Sequence, residues 1–172
     1  MSRYLIIGCS GSGKSTLAER IAGLCQIPYI NTDALYWRDD WTPVSGEEVL
    51  AAIDLDAESY VLDGNFVGVR ERVWPKVDTI IWLNYKFHIV FSRLFVRNMT
   101  WWISGYSPWT GTRMKLRNVL SGFRHCFKSY RRKRNTYPGF LAGYVDKDVH
   151  IVNSPDEIER LLGQLCSAKT IG

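Results

Sequence analysis

Apolar positions along the chain alternate between short unbroken runs and longer stretches with helical spacing. Runs bounded by turn residues at Tyr4 to Ile7, Tyr29 to Ile30, Tyr60 to Leu62, Thr79 to Leu83 and Val149 to Val152 predict strands. Such short, unalternating runs suit strands buried on both faces of a parallel sheet. Between them, helical spacing predicts helices at Lys14 to Leu24, Gly46 to Leu55, Phe87 to Ser104, Lys115 to Arg134 and Pro155 to Cys166. The last has a readable start, with Ser154 as N-cap, Pro155 in the first helical position and Asp156 and Glu157 in the first turn. Strand and helix in alternation predict an α/β domain, a five-stranded parallel sheet with helices on both faces. Ser104 to Thr112, with Gly105, Pro108 and Gly111, reads as a loop inserted after a long helix.

Length and composition narrow this picture. With 172 residues, 46% of them hydrophobic, the chain can bury one core and is expected to form a single domain over 1–172. The segment from Phe87 to Ser104 is interrupted by Arg93 and Arg97, which makes it a poor membrane span. Met1-Ser2-Arg3 runs directly into an apolar strand rather than a cleavage site, so no signal peptide is expected. Cys9, Cys25, Cys126 and Cys166 are widely spaced, with no metal-ligand pattern, as for reduced thiols in a cytoplasmic protein.

Charge is distributed unevenly. Between Asp78 and Asp146 there are 12 Lys and Arg and no acidic residue, whereas the rest of the chain has 10 basic and 17 acidic residues. A segment this basic faces an anionic ligand or water.

The strongest chemical signal is Gly8-Cys9-Ser10-Gly11-Ser12-Gly13-Lys14-Ser15, followed by Thr16, which matches G-x-x-x-x-G-K-[ST] and lies between a predicted strand and a predicted helix. Glycines let successive backbone N–H groups of Gly8, Ser10, Gly11, Ser12, Gly13, Lys14, Ser15 and Thr16 turn inward around phosphates, and the helix N-terminus adds its positive end. Lys14 would meet the β- and γ-phosphates of ATP, and the Ser15 hydroxyl would ligate Mg²⁺. Asp63 follows the third predicted strand, at the end where open α/β sheets gather ligands. It could hold Mg²⁺ through a water or orient an acceptor, or simply cap the turn before Gly64. Asp33 follows the second strand and could ligate metal, accept a proton from an acceptor hydroxyl, or cap a short helix. Tyr36, Trp37 and Trp41 could wall the acceptor pocket or belong to the core.

Three motifs, Gly8 to Thr16, Asp33-Ala34-Leu35-Tyr36-Trp37 and Val61-Leu62-Asp63-Gly64-Asn65, carry a resemblance over nearly the whole chain. The chain resembles the P-loop nucleoside-monophosphate kinases, and more closely the adenylate-kinase-like proteins called DNA topology modulation (FlaR-related) proteins. The resemblance implies an ATP- and Mg²⁺-dependent kinase, with Asp63 near metal and acceptor phosphate. Arg93 and Arg97 match two arginines on the helix entering the lid. Their spacing puts them on one helix face, able to clamp a transferring phosphoryl group. Asn65-Phe66 stands where adenylate kinases continue Phe-Pro-Arg, so the arginine that grips AMP is unmatched unless Arg70 or Arg72 substitutes. A nucleoside monophosphate is the first expected acceptor and a hydroxylated metabolite the second.

The basic segment, about 98–134, then has three readings. As a catalytic lid it would close over the polyphosphate, with Arg124 and Arg131, seven apart on one helix face, as the leading residues and Arg132 to Arg134 pointing elsewhere. Interleaved with Trp101, Trp102, Trp109, Phe123, Phe127 and Tyr130, it could instead bind nucleic acid or a partner protein under nucleotide control. The third reading is a solvated basic helix. No helix-turn-helix, zinc-finger or RNA-binding signature is present in the sequence.

Overall fold

The computed structural model describes residues 2–36, 42–66, 69–105 and 116–170; for Asp33 and residues 166–170 it describes the backbone alone. Five strands, β1 (Ser2–Gly8), β2 (Tyr29–Asn31), β3 (Ser59–Asp63), β4 (Thr79–Leu83) and β5 (Asp148–Val152), pair in parallel in the order β2-β3-β1-β4-β5. Each predicted strand is present; β4 has the expected bounds and the other four gain a residue or two at one or both ends.

The two faces of the sheet bury different side chains, as the pleat requires. Tyr4, Ile6, Val61 and Ile81 pack beneath α1 (Lys14–Cys25), α5 (Phe87–Ser104) and α7 (Glu157–Thr170). Leu5, Ile7, Leu62, Ile80 and Trp82 meet α3 (Gly46–Ala51), α4 (Arg70–Val73) and the end of α6 (Leu116–Leu141) on the other face. Leu5, Ile6 and Ile7 are fully buried, each stabilising the fold by about 1.5–3 kcal/mol.

Helix ends differ from expectation most clearly in α3, α6 and α7, the last also running on to Thr170 where Cys166 was expected. The α3 helix has a capping box, with Ser45 and Glu48 each satisfying the other's backbone N–H, but stops at Ala51. There Ala52 and Ile53 switch to i−3 hydrogen bonds, and the Asp54 carboxylate then accepts from the Asp56 N–H at 3.0 Å. The α7 helix starts at Glu157, because Ser154 to Asp156 form a turn and the Glu157 side chain reaches back to the Asn153 N–H at 3.0 Å. The α6 helix continues past Arg134 to Leu141 and includes Pro138. Two short helices lie outside the five expected ones, α2 (Thr32–Tyr36), which follows β2, and α4. Gly105 ends α5 in the left-handed region, and most of the inserted loop expected at 104–112, with Trp109, lies outside the described residues, as do Trp37 and Trp41. No described helix is long and apolar enough to cross a membrane.

Candidate phosphate-binding site

The loop from Gly8 to Ser15 leaves β1 at the carboxyl end of the sheet and opens α1. Gly11 and Gly13 adopt φ of +86° and +89°, a backbone only glycine takes without strain. A Cβ on Gly11 would also lie 2.6 Å from the Val90 carbonyl oxygen of α5. Lys14 is buried, its Nζ donating to the Cys9 carbonyl at 3.4 Å, while Ser15 is half-buried and Thr16 exposed.

Asp63 ends β3 fully buried beside the loop. Its Oδ2 accepts from the Ser15 hydroxyl at 2.5 Å and the Tyr29 hydroxyl at 3.1 Å, and its Oδ1 from the Thr32 N–H at 3.3 Å. Burial and then the Asp63 charge push the Tyr29 phenol pKa up, so that hydroxyl stays protonated and keeps donating. A hydroxyl and a carboxylate this close form a hard oxygen pair of the kind Mg²⁺ uses alongside phosphate oxygens.

The α5 helix turns Arg93 and Arg97 onto the loop. Arg93 Nη1 donates to the Ser12 carbonyl at 3.4 Å, and Arg97 Nη2 donates to Ser10 Oγ at 3.1 Å. Their guanidiniums lie 5.5 Å from the Tyr85 ring and 4.7 Å from the Trp101 ring, contacts that hold planar cations in place.

The α6 helix presents a different face from the one expected. Its buried positions are Val119, Cys126, Ser129, Lys133, Tyr137 and Leu141. Arg124 and Arg131 do share a face, but it is exposed and roughly 160° around the helix from Cys126 and Lys133 at 3.6 residues per turn. Lys133, expected to point elsewhere, is buried, and its Nζ donates to the Gly8 carbonyl at 2.8 Å. Sequence reasoning also missed Asn65, whose Oδ1 accepts from the Gly8 N–H at 3.1 Å and the Tyr137 hydroxyl at 2.9 Å. Its signal was its place directly after Asp63-Gly64. Burial raises the Cys9 pKa despite the nearby Lys133 and Lys14 ammoniums, and that of Cys126 is pushed to about 11, so both thiols stay protonated.

Of the residues named from sequence, the structure thus gathers Lys14, Ser15, Asp63, Arg93 and Arg97 around one loop. Asp33 lies in α2 next to Thr32, and its side chain lies outside the described residues. Arg70 and Arg72 are engaged elsewhere, Arg70 with Glu71 at 2.8 Å and over the Phe140 ring at 3.5 Å, Arg72 with Glu47.

An all-parallel sheet of this order, with the loop after its central strand and helices on both faces, is the P-loop kinase-like fold. Among solved structures, a gluconokinase from Sinorhizobium meliloti 1021 is similar over 99% of this chain and 96% of its own, with a TM-score of 0.53 and 18% identity. At that identity the likeness is one of fold. No protein-family model matches the chain, and no curated protein matches it.

Proposed function

We propose that the chain is an ATP-dependent phosphotransferase that moves the γ-phosphoryl group to a small acceptor. The observation that carries this reading is the Lys14, Ser15 and Asp63 cluster at the phosphate loop, with Arg93 and Arg97 turned onto the same loop. Backbone N–H groups of Ser10, Gly11 and Gly13 to Thr16 bind the polyphosphate, those of Gly8 and Ser12, also expected to face it, being taken by Asn65 Oδ1 and the Cys9 carbonyl, and Lys14 meets its β- and γ-oxygens. Ser15 and Asp63 would hold Mg²⁺, which when bound neutralises phosphate charge. Arg93 and Arg97 stabilise charge on the γ-phosphoryl group as the acceptor oxygen attacks phosphorus in line and the bond to the bridging oxygen breaks, releasing ADP. Asp33, next to Thr32 in α2, would take the proton of an attacking hydroxyl.

Two acceptor classes remain from the sequence. The adenylate-kinase resemblance favours a nucleoside monophosphate. The engagement of Arg70 with Glu71 and Phe140, and of Arg72 with Glu47, favours a hydroxylated metabolite, since neither guanidinium supplies the missing phosphate grip. The full-length likeness to a protein named as a gluconokinase supports the same choice. The test is ADP release from Mg²⁺-ATP with each nucleoside monophosphate and a set of polyhydroxylated metabolites, beside Lys14→Ala. An acceptor that raises turnover in the wild type alone establishes the kinase and its substrate.

The exposed basic face of α6, carrying Arg124 and Arg131, favours a second reading, a nucleotide-dependent switch that contacts nucleic acid, as the topology-modulation resemblance suggests. Salt-sensitive DNA binding with no acceptor turnover would select it.

A further inference from the structure

Gly8, the first residue of the phosphate loop, has both of its backbone polar groups held by side chains from other parts of the chain. Its carbonyl accepts from Lys133 Nζ at 2.8 Å, and its N–H donates to Asn65 Oδ1 at 3.1 Å. Asn65 Oδ1 is in turn held by the Tyr137 hydroxyl at 2.9 Å. Lys133 and Tyr137 are one turn apart on α6, so a single helix face grips both sides of this residue, one directly and one through Asn65. Two turns before Lys133, Cys126 lies with its Sγ 4.0 Å from the Ser10 carbonyl oxygen.

A buried ammonium is costly for a fold that needs only stability, and a methionine or leucine would fill the same volume. Lys133 is 6% exposed, as is Lys14. The two ammoniums donate to the adjacent carbonyls of Gly8 and Cys9, so the loop has a lysine from its own helix and another from the helix that leaves the lid-like segment. The hydrogen bond drains electron density from the Gly8 carbonyl, and the charge adds positive potential behind the nest of amides.

We infer that Lys133 is a second phosphate-loop lysine. It is a positioning residue that sets the Gly8 peptide and tunes the loop for polyphosphate, with Tyr137 and Asn65 completing the hold on that peptide. This inference rests on the proposed triphosphate site. It ties the seating of α6 to the loop, so polyphosphate binding and order in the Lys133 turn of α6 reinforce each other.

The test compares wild type with Lys133→Met, which keeps the length of the stem and removes the charge, and Tyr137→Phe, which keeps the buried ring and removes the hydroxyl. Calorimetric titrations with ATP, ADP and adenosine give the readout, and Lys14→Ala serves as control. For Lys133→Met the expected loss is roughly tenfold in ATP affinity, smaller for ADP and absent for adenosine; for Tyr137→Phe it is several-fold with the same ordering. A merely structural lysine would lower thermal stability while leaving the preference for ATP over adenosine unchanged, and that result overturns the inference. Should Lys133→Met not fold, Tyr137→Phe decides on the same criterion. If the wild type binds ATP in a Lys14-dependent way and both variants match it, only the role of Lys133 falls. If the wild type binds no triphosphate, the proposed site falls and the inference with it.

Discussion

The two ends of the sheet treat polar side chains in opposite ways. At the carboxyl end Ser12, Lys14, Thr32, Asp63 and Lys133 are all buried, around one loop. At the amino end the charged groups are at least partly open to solvent and paired side by side: Arg3 with Asp78 at 2.9 Å, Lys76 with Asp56 at 2.6 Å. Pairs of the second kind contribute little to stability and cost little to keep. Burying charge costs several kcal/mol per ion, and folding alone gives no reason to concentrate it. The difference separates polar residues that furnish the fold from those that serve a ligand.

Substitutions at the two ends should therefore fail differently. The largest effect is expected from Lys14→Ala, which should lower ATP affinity by roughly a hundredfold or more while the protein stays folded, measured by calorimetry and circular dichroism. Next, Asp63→Asn keeps the shape but removes the charge beside Ser15; turnover should fall by roughly 10²-fold and the Mg²⁺ needed for half-maximal turnover should rise. Third, Arg93→Ala should lower kcat by about 10²-fold with little change in ATP affinity, because its role is placed in the transition state; a pure binding defect would remove that role.

The smallest effect belongs to the amino end. Burial alone would raise the Asp78 pKa, but the Arg3 hydrogen bonds and charge outweigh it and hold the group below its ordinary 3.8. With the folded pKa below the unfolded one, the contribution to stability is present above the unfolded value and fades as pH falls through the folded one. Asp78→Asn should cost about 0.5 kcal/mol near neutral pH, flatten that part of the acid unfolding curve, and leave ATP binding unchanged.

How much of this was legible in the sequence follows from what each signal depends on. The strands were readable because β1, β3 and β4 are buried on both faces and so appear as unbroken apolar runs. The phosphate loop was readable because its glycines and Lys14 lie at fixed local spacing. The role of α6 was not, because its inward stripe includes Ser129 and Lys133, whereas the apolar Leu116, Leu120 and Phe127 are exposed. Helical phase read from hydropathy or from paired arginines therefore picks the wrong face. Nothing local distinguishes Lys133 from its neighbours in Arg131-Arg132-Lys133-Arg134; the Gly8 carbonyl, 125 positions away, does. Asn65 likewise registered only as a departure from a kinase pattern, since its partners Gly8 and Tyr137 lie 57 and 72 positions away.

The most direct test of the central claim, that the buried polar end of the sheet is a triphosphate site, is calorimetric titration of the wild type and Lys14→Ala with Mg²⁺-ATP. Saturable binding at one site in the wild type, lost in the variant, is the predicted result. Equal affinity in the two, or no binding in the wild type, would contradict it.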